Sequence, residues 1–541
     1  MKLLLIQPPI CDFYDTEIRL QPLGLCMLKA AVKKEMPWVD VIVKDYHQGH
    51  GRKTMSYPSE LSYLRAYYAF HDAGPFSMFH HFYHFGATFE DIANDVAQEN
   101  PDMVGISSLF TPYAREGLAC AKAIKQYLNI PIVMGGPHVT TQPLDMLKDP
   151  NVDFVIRGEG ERPLVELLRT LESHGALHHV PNLGFKNDGE TILNPMGTPY
   201  DFENLPWSDF SDFPIDRYVF KKRPLCFIMT TRGCSHQCTF CSVHQTFGKS
   251  LRRRTVEDIA EEIKHRYDQG YRVFDFEDDN LTFHKTDFMN LLSRLQVEIP
   301  LKDVRFSAMN GISYMSLDKE ILERMKTVGF KSLNLSVVTA NAEILSRVHR
   351  PHTIDKFLDI VRQAYELEMD MVCYQILGLP YEGLEDMITT IRLLATLPIL
   401  IGVSIFYLVP GCAMASEFGS ITPEDWTRCR STAMTIESGH VSRDDVYTLF
   451  ITARIINFLK GFRFEKNEIS IEEALDQIVE LGKRELAGVE ILRRLFNERV
   501  LYAATHKSYR PLPRFKTDLF FNVWEGMTHI VTQKGGRINL A

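Results

Sequence analysis

At 541 residues the chain is too long for a single hydrophobic core, and its length suggests about three or four domains. Hydrophobic residues at 45% and charged residues at 24% exclude a chain dominated by disorder. A formal net charge of −9 offers no general basic face to a polyanion, so no nucleic-acid partner is expected, and the triplet Arg252-Arg253-Arg254 reads as local charge at a helix start or beside a cofactor.

The N-terminal run Met1 to Ile6 is too short for a signal peptide and is stopped by Pro8-Pro9, so it reads as a first buried strand. No run of about 18 apolar residues is present, so no membrane span is expected. Up to about residue 170, strand-like runs (Lys2 to Ile6, Val39 to Val43, Met103 to Ile106, Ile132 to Met134, Phe154 to Ile156) alternate with helical patterns (Leu25 to Lys34, Phe89 to Glu99, Ala114 to Tyr127, Leu144 to Lys148). The alternation predicts an α/β fold with a parallel, doubly wound, Rossmann-like sheet, which takes ligands outside the carboxyl ends of its strands. Those ends carry Gln7-Pro8-Pro9, Ser107-Ser108-Leu109, Gly135-Gly136-Pro137-His138 and Gly158-Glu159-Gly160-Glu161. Glycines and small hydroxyl residues let a large flat ligand lie against backbone, although a Gly-Gly pair alone is usually a turn. Between the second strand and the next helix, His47 to Gly86 is an excursion rich in aromatics and histidine, notably over Phe76 to Phe85. His80, His81 and His84 have no carboxylate or cysteine among them, which favours a packed lid over a metal cluster.

Residues 185–224 are rich in Pro, Asn, Asp and aromatics and read as an extended linker. An apolar run, Leu225 to Met229, then leads through Arg232-Gly233 into Cys234-Ser235-His236-Gln237-Cys238-Thr239-Phe240-Cys241. Thiolates so spaced are ligands for an iron–sulfur cluster, and a closed cluster needs a fourth cysteine. Cys226 is near in sequence but sits inside the apolar run. A helix is expected at Val256 to Tyr267. The strand from Tyr271 then ends in Glu277-Asp278-Asp279-Asn280, carboxylates that are costly to bury unless a cation meets them. Further strands are expected at Arg305 to Asn310, Ser332 to Val338, Met371 to Gly378 and Leu400 to Val409. Beyond Gly411 the pattern is helical at Asp444 to Lys460, Ile471 to Leu486 and Val489 to Phe496, with Cys412 and Cys429 read as structural or free thiols. The clustered cysteines call for a reducing compartment, expected to be the cytoplasm of an anaerobe or facultative organism.

Cys-x3-Cys-x2-Cys with an aromatic residue before the last cysteine resembles the signature of the radical S-adenosylmethionine (SAM) enzymes. That resemblance implies a central partial (β/α)6 barrel in which Cys234, Cys238 and Cys241 bind three irons of a [4Fe-4S] cluster and the fourth iron receives SAM. It further implies that Glu277, Asp278, Asp279 and Asn280 meet the SAM amino group and that Asn310 and Ser336 meet its carboxylate or ribose. The strand bearing Gln375, Tyr374 to Pro380, would pack near adenine. The order of the strand-end motifs in the first module is similar to the cobalamin-binding domain that precedes many radical SAM domains. By that likeness Gln7, Pro8, Ser107, Ser108, Leu109, Gly135, Gly136, His138, Glu159 and Gly160 are the expected cobalamin contacts. The Asp-x-His-x-x-Gly motif that supplies an axial histidine elsewhere is missing after strand one, where Pro9 to Tyr14 stands, and Asp45-Tyr46-His47 follows strand two instead. Cobalamin bound with its own base displaced and without a protein histidine on cobalt is therefore expected.

The expected division is 1–184 cobalamin-binding domain, 185–224 linker, 225–415 radical SAM core and 416–541 helical cap. The resemblance implies a methyltransferase that uses a 5′-deoxyadenosyl radical and methylcobalamin on an unactivated carbon, with an electron donor such as ferredoxin or flavodoxin. The substrate, a peptide or protein side chain or a small molecule, is left open, and no catalytic residue is singled out. Two alternatives remain at this stage: an anaerobic cyclase or rearrangement enzyme with the same cofactors, and a non-enzymatic cobalamin or redox sensor, for which no output domain is recognisable.

Overall fold

The computed structural model describes residues 1–14, 21–68, 72–77, 79–310, 312–479, 481–505 and 508–540; Met78, within the aromatic and histidine-rich segment, lies outside them. The chain folds into two compact units, one formed by Met1–Ser56, Phe82–Asp279 and Leu408–Cys429, the other by Tyr57–His81, Asn280–Tyr407 and Arg430–Ala541. Among the described residues no helix is long and apolar enough to cross a membrane.

The first unit is built on a seven-stranded sheet. Its strands are β1 (Lys2–Gln7), β2 (Asp40–Asp45), β3 (Met103–Ser107), β4 (Ile132–Gly135), β5 (Phe154–Ile156), β6 (Leu183–Asn187) and β7 (Glu190–Leu193), in the order β7-β6-β5-β4-β3-β1-β2. The first five pair in parallel and β6 and β7 add an antiparallel edge. Strands covered on both faces read as continuous apolar runs, and Leu3 to Ile6 are indeed almost wholly buried. α1 (Leu23–Glu35) packs with the helix Glu161–Glu172, whereas α2 (Phe89–Glu99) and α3 (Ala114–Tyr127) pack together over one face, where Ile92, Val96, Cys120 and Ile124 meet Leu4, Ile6, Val104 and Met134. Thr88 caps α2 by accepting the Asp91 N–H, which satisfies an end donor that the helix itself cannot. The short α4 (Pro137–Thr141) and α6 (Glu161–Glu172, after α5, Pro143–Lys148) begin directly at the ends of β4 and β5.

In the same unit β8 (Arg223–Ile228) pairs in parallel with β9 (Val273–Phe276), and α7 (Val256–Gln269) connects them. Thr255 caps α7 and Gly270, at φ +112°, ends it. The linker is no loose tether. Lys29 on α1 binds Asp212 at 2.6 Å and Ser211 at 2.9 Å, Lys33 binds Asp209 at 2.7 Å, and on the other side the Trp207 indole donates to Asp258 on α7 at 2.7 Å. Pro, Asp and aromatic residues thus serve as pins between α1 and α7. They line an open groove of about 590 Å³ together with Phe210, Phe213 and Tyr271, near the amino end of β9 and without any residue of the cysteine loop.

The second unit holds a parallel sheet of β10 (Ser332–Val338), β11 (Asp370–Leu377) and β12 (Leu400–Ile405), with α8 (Leu384–Ala395) between the last two. The register slips between Ser336 and Val338, and Val338 sits at φ +69°, a costly conformation for a β-branched residue. The long α9 (Arg443–Lys460) starts at a Ser442/Asp445 capping box, and its last residue, fully buried Lys460, donates to the carbonyls of Leu394, Ala395, Leu397 and Val531. Leu394 and Ala395 lie in the last turn of α8, where carbonyls lack an N–H one turn on, and the buried Lys460 amine helps to cap them. Tyr67 donates to Asp444 at 2.6 Å and Phe76 packs edge-on to Phe458 at 5.3 Å, so the 57–81 part of the excursion is built onto α9. The C-terminal region is mostly helical, with Ile471–Val479 and Lys483–Glu498 as separate helices whose break falls earlier than the expected one between Leu486 and Val489, and it also contains a small sheet of Glu468–Ser470, Arg537–Asn539 and His529–Val531.

Candidate cofactor site

The loop that carries the cysteines is fixed from below. Asp278, 1% exposed, accepts the Thr231 N–H and hydroxyl at 2.5 Å each and the Thr230 hydroxyl at 2.7 Å. Its carboxylate is therefore spent on the turn after β8, with burial raising its pKa despite these donors. Gly233 follows at φ +86°, where a Cβ would lie 2.6 Å from the Ser250 carbonyl, so only glycine makes this bend. Within the loop the Cys241 N–H donates to the Cys238 carbonyl at 3.0 Å. Burial pushes the Cys241 thiol up to about 11, opposed by the Val243 N–H and reinforced by Cys238, Asp279 and Cys234, which places the three thiols and Asp279 in one locale. Among the described residues no three His, Cys, Asp or Glu side chains close on a single metal ion. A cubane does not ask for that, since its three cysteines bind three different irons, and this donor set of three thiols on one loop fits it. Asp279, open to solvent at its outer edge, is raised to about 6 by partial desolvation and then by Asp278, while accepting the Gly233 N–H. Glu277 is half-buried, its backbone N–H bonded to the Ile228 carbonyl at 2.8 Å.

At the other sheet, the strand order reverses between β1 and β3, the place where doubly wound sheets open a crevice. The residues at that edge divide into two groups. Ser108 Oγ and His138 Nε2 are buried polar atoms that lack a partner among the described residues, and such atoms call for a ligand or water. His138 shares a hydrogen bond with Thr111 through Nδ1 at 3.1 Å, packs edge-on to Trp426 at 4.5 Å, and is held by burial down at about 4, hence neutral. Gly135 leaves open space above it, whereas Gly136, at φ +116°, is pressed against the Ser108 carbonyl, which a Cβ would approach to 2.6 Å. Ser107 ends β3, and Leu109 is 42% exposed. This cradle, open over Gly135 with two orphaned polar atoms, fits a large planar cofactor.

The second group is occupied by the protein itself. Gln7 donates to Asp45 at 3.2 Å, and Asp45 also accepts the Tyr218 hydroxyl at 2.7 Å; Pro8 is buried. A Cβ on Gly160 would lie 3.0 Å from Leu28, so this glycine admits α1. Glu159 binds Arg232 at 2.6 Å and also binds Arg252, while Glu161 binds Arg232 at 2.5 Å. Burial alone would raise the Glu161 carboxyl, yet Arg232 outweighs it and holds the group below its ordinary value.

Two further features escape a sequence reading. The short strand Ile10–Asp12 after β1 pairs with Phe82–Phe85 and sets His84 opposite Cys11, with His84 Nδ1 3.6 Å from the Cys11 sulfur and Nε2 2.9 Å from the Ala87 carbonyl. Both ring nitrogens are thus engaged, and His80 has its own partner in Ser77 at 3.1 Å. In addition, the segment Leu408–Cys429 straps the site: the Met414 N–H donates to the Thr239 carbonyl inside the cysteine motif at 2.9 Å, Gln245 donates to the Gly411 carbonyl at 2.8 Å, and Trp426 covers His138.

The remaining predicted residues belong to the second unit. Asn280 is buried, Asn310 is exposed, Ser336 accepts Arg350 through its carbonyl at 3.1 Å, and buried Gln375 donates to the Met387 carbonyl at 3.1 Å while its Oε1 has no partner among the described residues. After β11, the buried Glu382 carboxyl is raised to about 8 by desolvation.

A doubly wound sheet with an open glycine cradle, joined in one unit to a three-cysteine loop at the end of a parallel strand, defines a protein that pairs a corrin domain with a radical domain. Residues 228–394 match the radical SAM superfamily and residues 69–168 match the B12 binding domain. The chain is 30% identical over 310 residues to an uncharacterized methyltransferase, PH0819, of Pyrococcus horikoshii, covering 56% of this chain and 66% of that protein. It is 23% identical over 417 residues to cytidylyl-2-hydroxyethylphosphonate methyltransferase of Streptomyces wedmorensis, covering 70% and 73% respectively. Its fold is similar to that of the radical SAM methyltransferase TsrM of Kitasatospora setae, solved with cobalamin and a [4Fe-4S] cluster, at a TM-score of 0.57 and 16% identity over 77% of this chain and 74% of that one. The chain belongs to the cobalamin-dependent radical SAM methyltransferase family, and its cofactors are cobalamin, a [4Fe-4S] cluster and SAM.

Proposed function

We propose that the protein is a C-methyltransferase acting on an unactivated carbon of a peptide or protein side chain or of a small molecule. When bound, the cluster and SAM supply a 5′-deoxyadenosyl radical that takes a hydrogen atom, and cobalamin supplies the methyl group. The carrying observation is that one compact unit holds both the three-cysteine loop and the open glycine cradle. In this reading Cys234, Cys238 and Cys241 hold the cluster, and Asp279, raised in pKa by desolvation and then by Asp278, receives the SAM ammonium together with Glu277. Asp278 acts one step back by fixing the loop through Thr230 and Thr231. Ser108, Gly135 and His138 line the corrin cradle, and within the second unit Asn280, Asn310, Ser336 and Gln375 are assigned to SAM. The functional division remains 1–184, 185–224, 225–415 and 416–541, with the last segment facing substrate. An electron donor such as ferredoxin or flavodoxin would reduce the cluster, and the oxygen-sensitive ligands suit a reducing, cytoplasmic setting.

The test is anaerobic reconstitution with both cofactors, SAM and a reductant, followed by mass spectrometry of host extracts. A product heavier by about 14 Da, formed with 5′-deoxyadenosine, is expected. A product without that gain points to cyclisation or rearrangement, and methylation by cobalamin-free protein would refute the mechanism.

A further inference from the structure

A buried cluster of charges in the first unit lies between its two cofactor loops. Arg232 stands two residues before Cys234, and its side chain is 5% exposed. One arm of its guanidinium binds Glu159 at 2.6 Å, the other binds Glu161 at 2.5 Å, and both carboxylates are 4% exposed. Arg252, paired in register with Arg232 in a two-residue antiparallel ladder, closes on Glu159 as well. The guanidinium is boxed by Phe202 at 4.9 Å and Phe247 at 5.6 Å, and its nitrogens also reach the sulfurs of Met229 at 3.4 Å and Met27 at 3.3 Å. Linker, α1, cysteine loop and the turn after β5 therefore all meet on one side chain, and every face of it is occupied by protein.

We propose that Arg232, Glu159 and Glu161 form a positioning lock that fixes the cysteine loop against the carboxyl edge of the seven-stranded sheet, so that the spacing between cluster and corrin is set before substrate arrives. The proposal rests on the two-cofactor reading above. A buried ion pair is a poor way to gain stability, since apolar groups of equal volume serve as well. What a forked guanidinium held by two carboxylates does provide is fixed distance and direction, which a lysine cannot reproduce. Glu159 and Glu161 are then positioning residues that do not touch a cofactor.

The test uses the full chain loaded anaerobically with cluster and Co(II) cobalamin. Iron content, cobalamin affinity by equilibrium dialysis and the cluster-to-cobalt distance distribution by pulsed electron paramagnetic resonance are measured for Arg232→Lys, Glu159→Gln and a surface control, Arg162→Ala. Arg162 makes only an exposed pair with Glu166 one helical turn away. Both lock variants are expected to keep their iron, to bind cobalamin within about threefold of the parent, and to show a broadened or shifted distance distribution, while Arg162→Ala keeps the parent's narrow one. Should Arg232→Lys fail to fold, Glu159→Gln, which leaves the Arg232–Glu161 pair, decides the matter alone. An unchanged distribution in loaded Glu159→Gln overturns the lock. So does a loss of cobalamin affinity of about tenfold or more at unchanged distance, which would make Glu159 a corrin contact. If the parent itself takes up no cluster or no cobalamin, the two-cofactor reading fails, and the lock falls with it.

Discussion

Two adjacent glycines offer a way to separate the fold of the corrin cradle from its ligand. A Cβ at Gly135 would have the Ile156 carbonyl at 3.8 Å as its nearest neighbour, an ordinary contact, so Gly135→Ala introduces no clash within the protein. Its effect on the unfolded chain alone would stabilise by about 0.4–1 kcal/mol. Gly136 differs: at φ +116° and ψ 175° it occupies a region nearly reserved for glycine, and a Cβ would sit 2.6 Å from the Ser108 carbonyl oxygen and 3.0 Å from its carbon. The conformation costs an alanine about 1–3 kcal/mol and the clash about 1–3 kcal/mol more. Gly136→Ala should therefore destabilise the apo-protein, and Gly135→Ala should not. If the corrin lies over Gly135, the added methyl overpacks that contact at a cost of about 1–3 kcal/mol, or roughly 5- to 150-fold in affinity. Thermal unfolding of the apo-proteins and anaerobic cobalamin titration give both quantities, and SAM cleavage to 5′-deoxyadenosine should persist in Gly135→Ala. A folded Gly135→Ala that binds cobalamin as tightly as the parent would remove Gly135 from the cradle.

Replacing Cys234, Cys238 and Cys241 together with Ala should abolish cluster absorbance and 5′-deoxyadenosine formation, and a triple variant with full iron content refutes the assignment. The Co(II) form should show no nitrogen superhyperfine splitting from the protein in its electron paramagnetic resonance; splitting that disappears in His138→Gln would instead make His138 the axial ligand. Glu382, raised from its ordinary 4.5 to about 8, bears a folded-state pKa above the unfolded one, so its contribution to stability is present below about pH 4.5 and is lost as pH climbs toward 8. Urea unfolding of Glu382→Gln should show a flatter pH dependence between those values than the parent, and identical slopes would sink the claim.

Much of the fold is legible in the sequence because each strand of the first sheet is buried on both faces and so appears as an unbroken apolar run, as in Leu3 to Ile6. The edge strands β6 and β7 are less so, being half exposed and bounded by Asn187 and Leu193 without a clear period. In the site, the three cysteines announce themselves by spacing alone. Carboxylates at strand ends do not, because Asp278 and Glu159 look alike whether they face a ligand or the protein, and their partners Thr230 and Arg232 lie 48 and 73 residues away. The same distance hides His84, which a short antiparallel pairing carries 73 residues to Cys11, so the loop after strand one lacks a histidine in sequence and gains one in space.

Burial sorts the predicted cofactor contacts by a single physical rule. A polar or charged group enclosed by protein must be satisfied, and where the protein satisfies it no capacity is left for a ligand. Asp278, Glu159, Glu161 and Gln7 all meet donors or cations from their own chain, which makes them parts of the frame. Ser108 Oγ, His138 Nε2 and Gln375 Oε1 are buried with no partner among the described residues, and Asp279 has a raised pKa at an open edge. In the proposed reading those groups are left to the cofactors. The charges that a sequence reading assigns to SAM and cobalamin are in good part what holds their two loops in place.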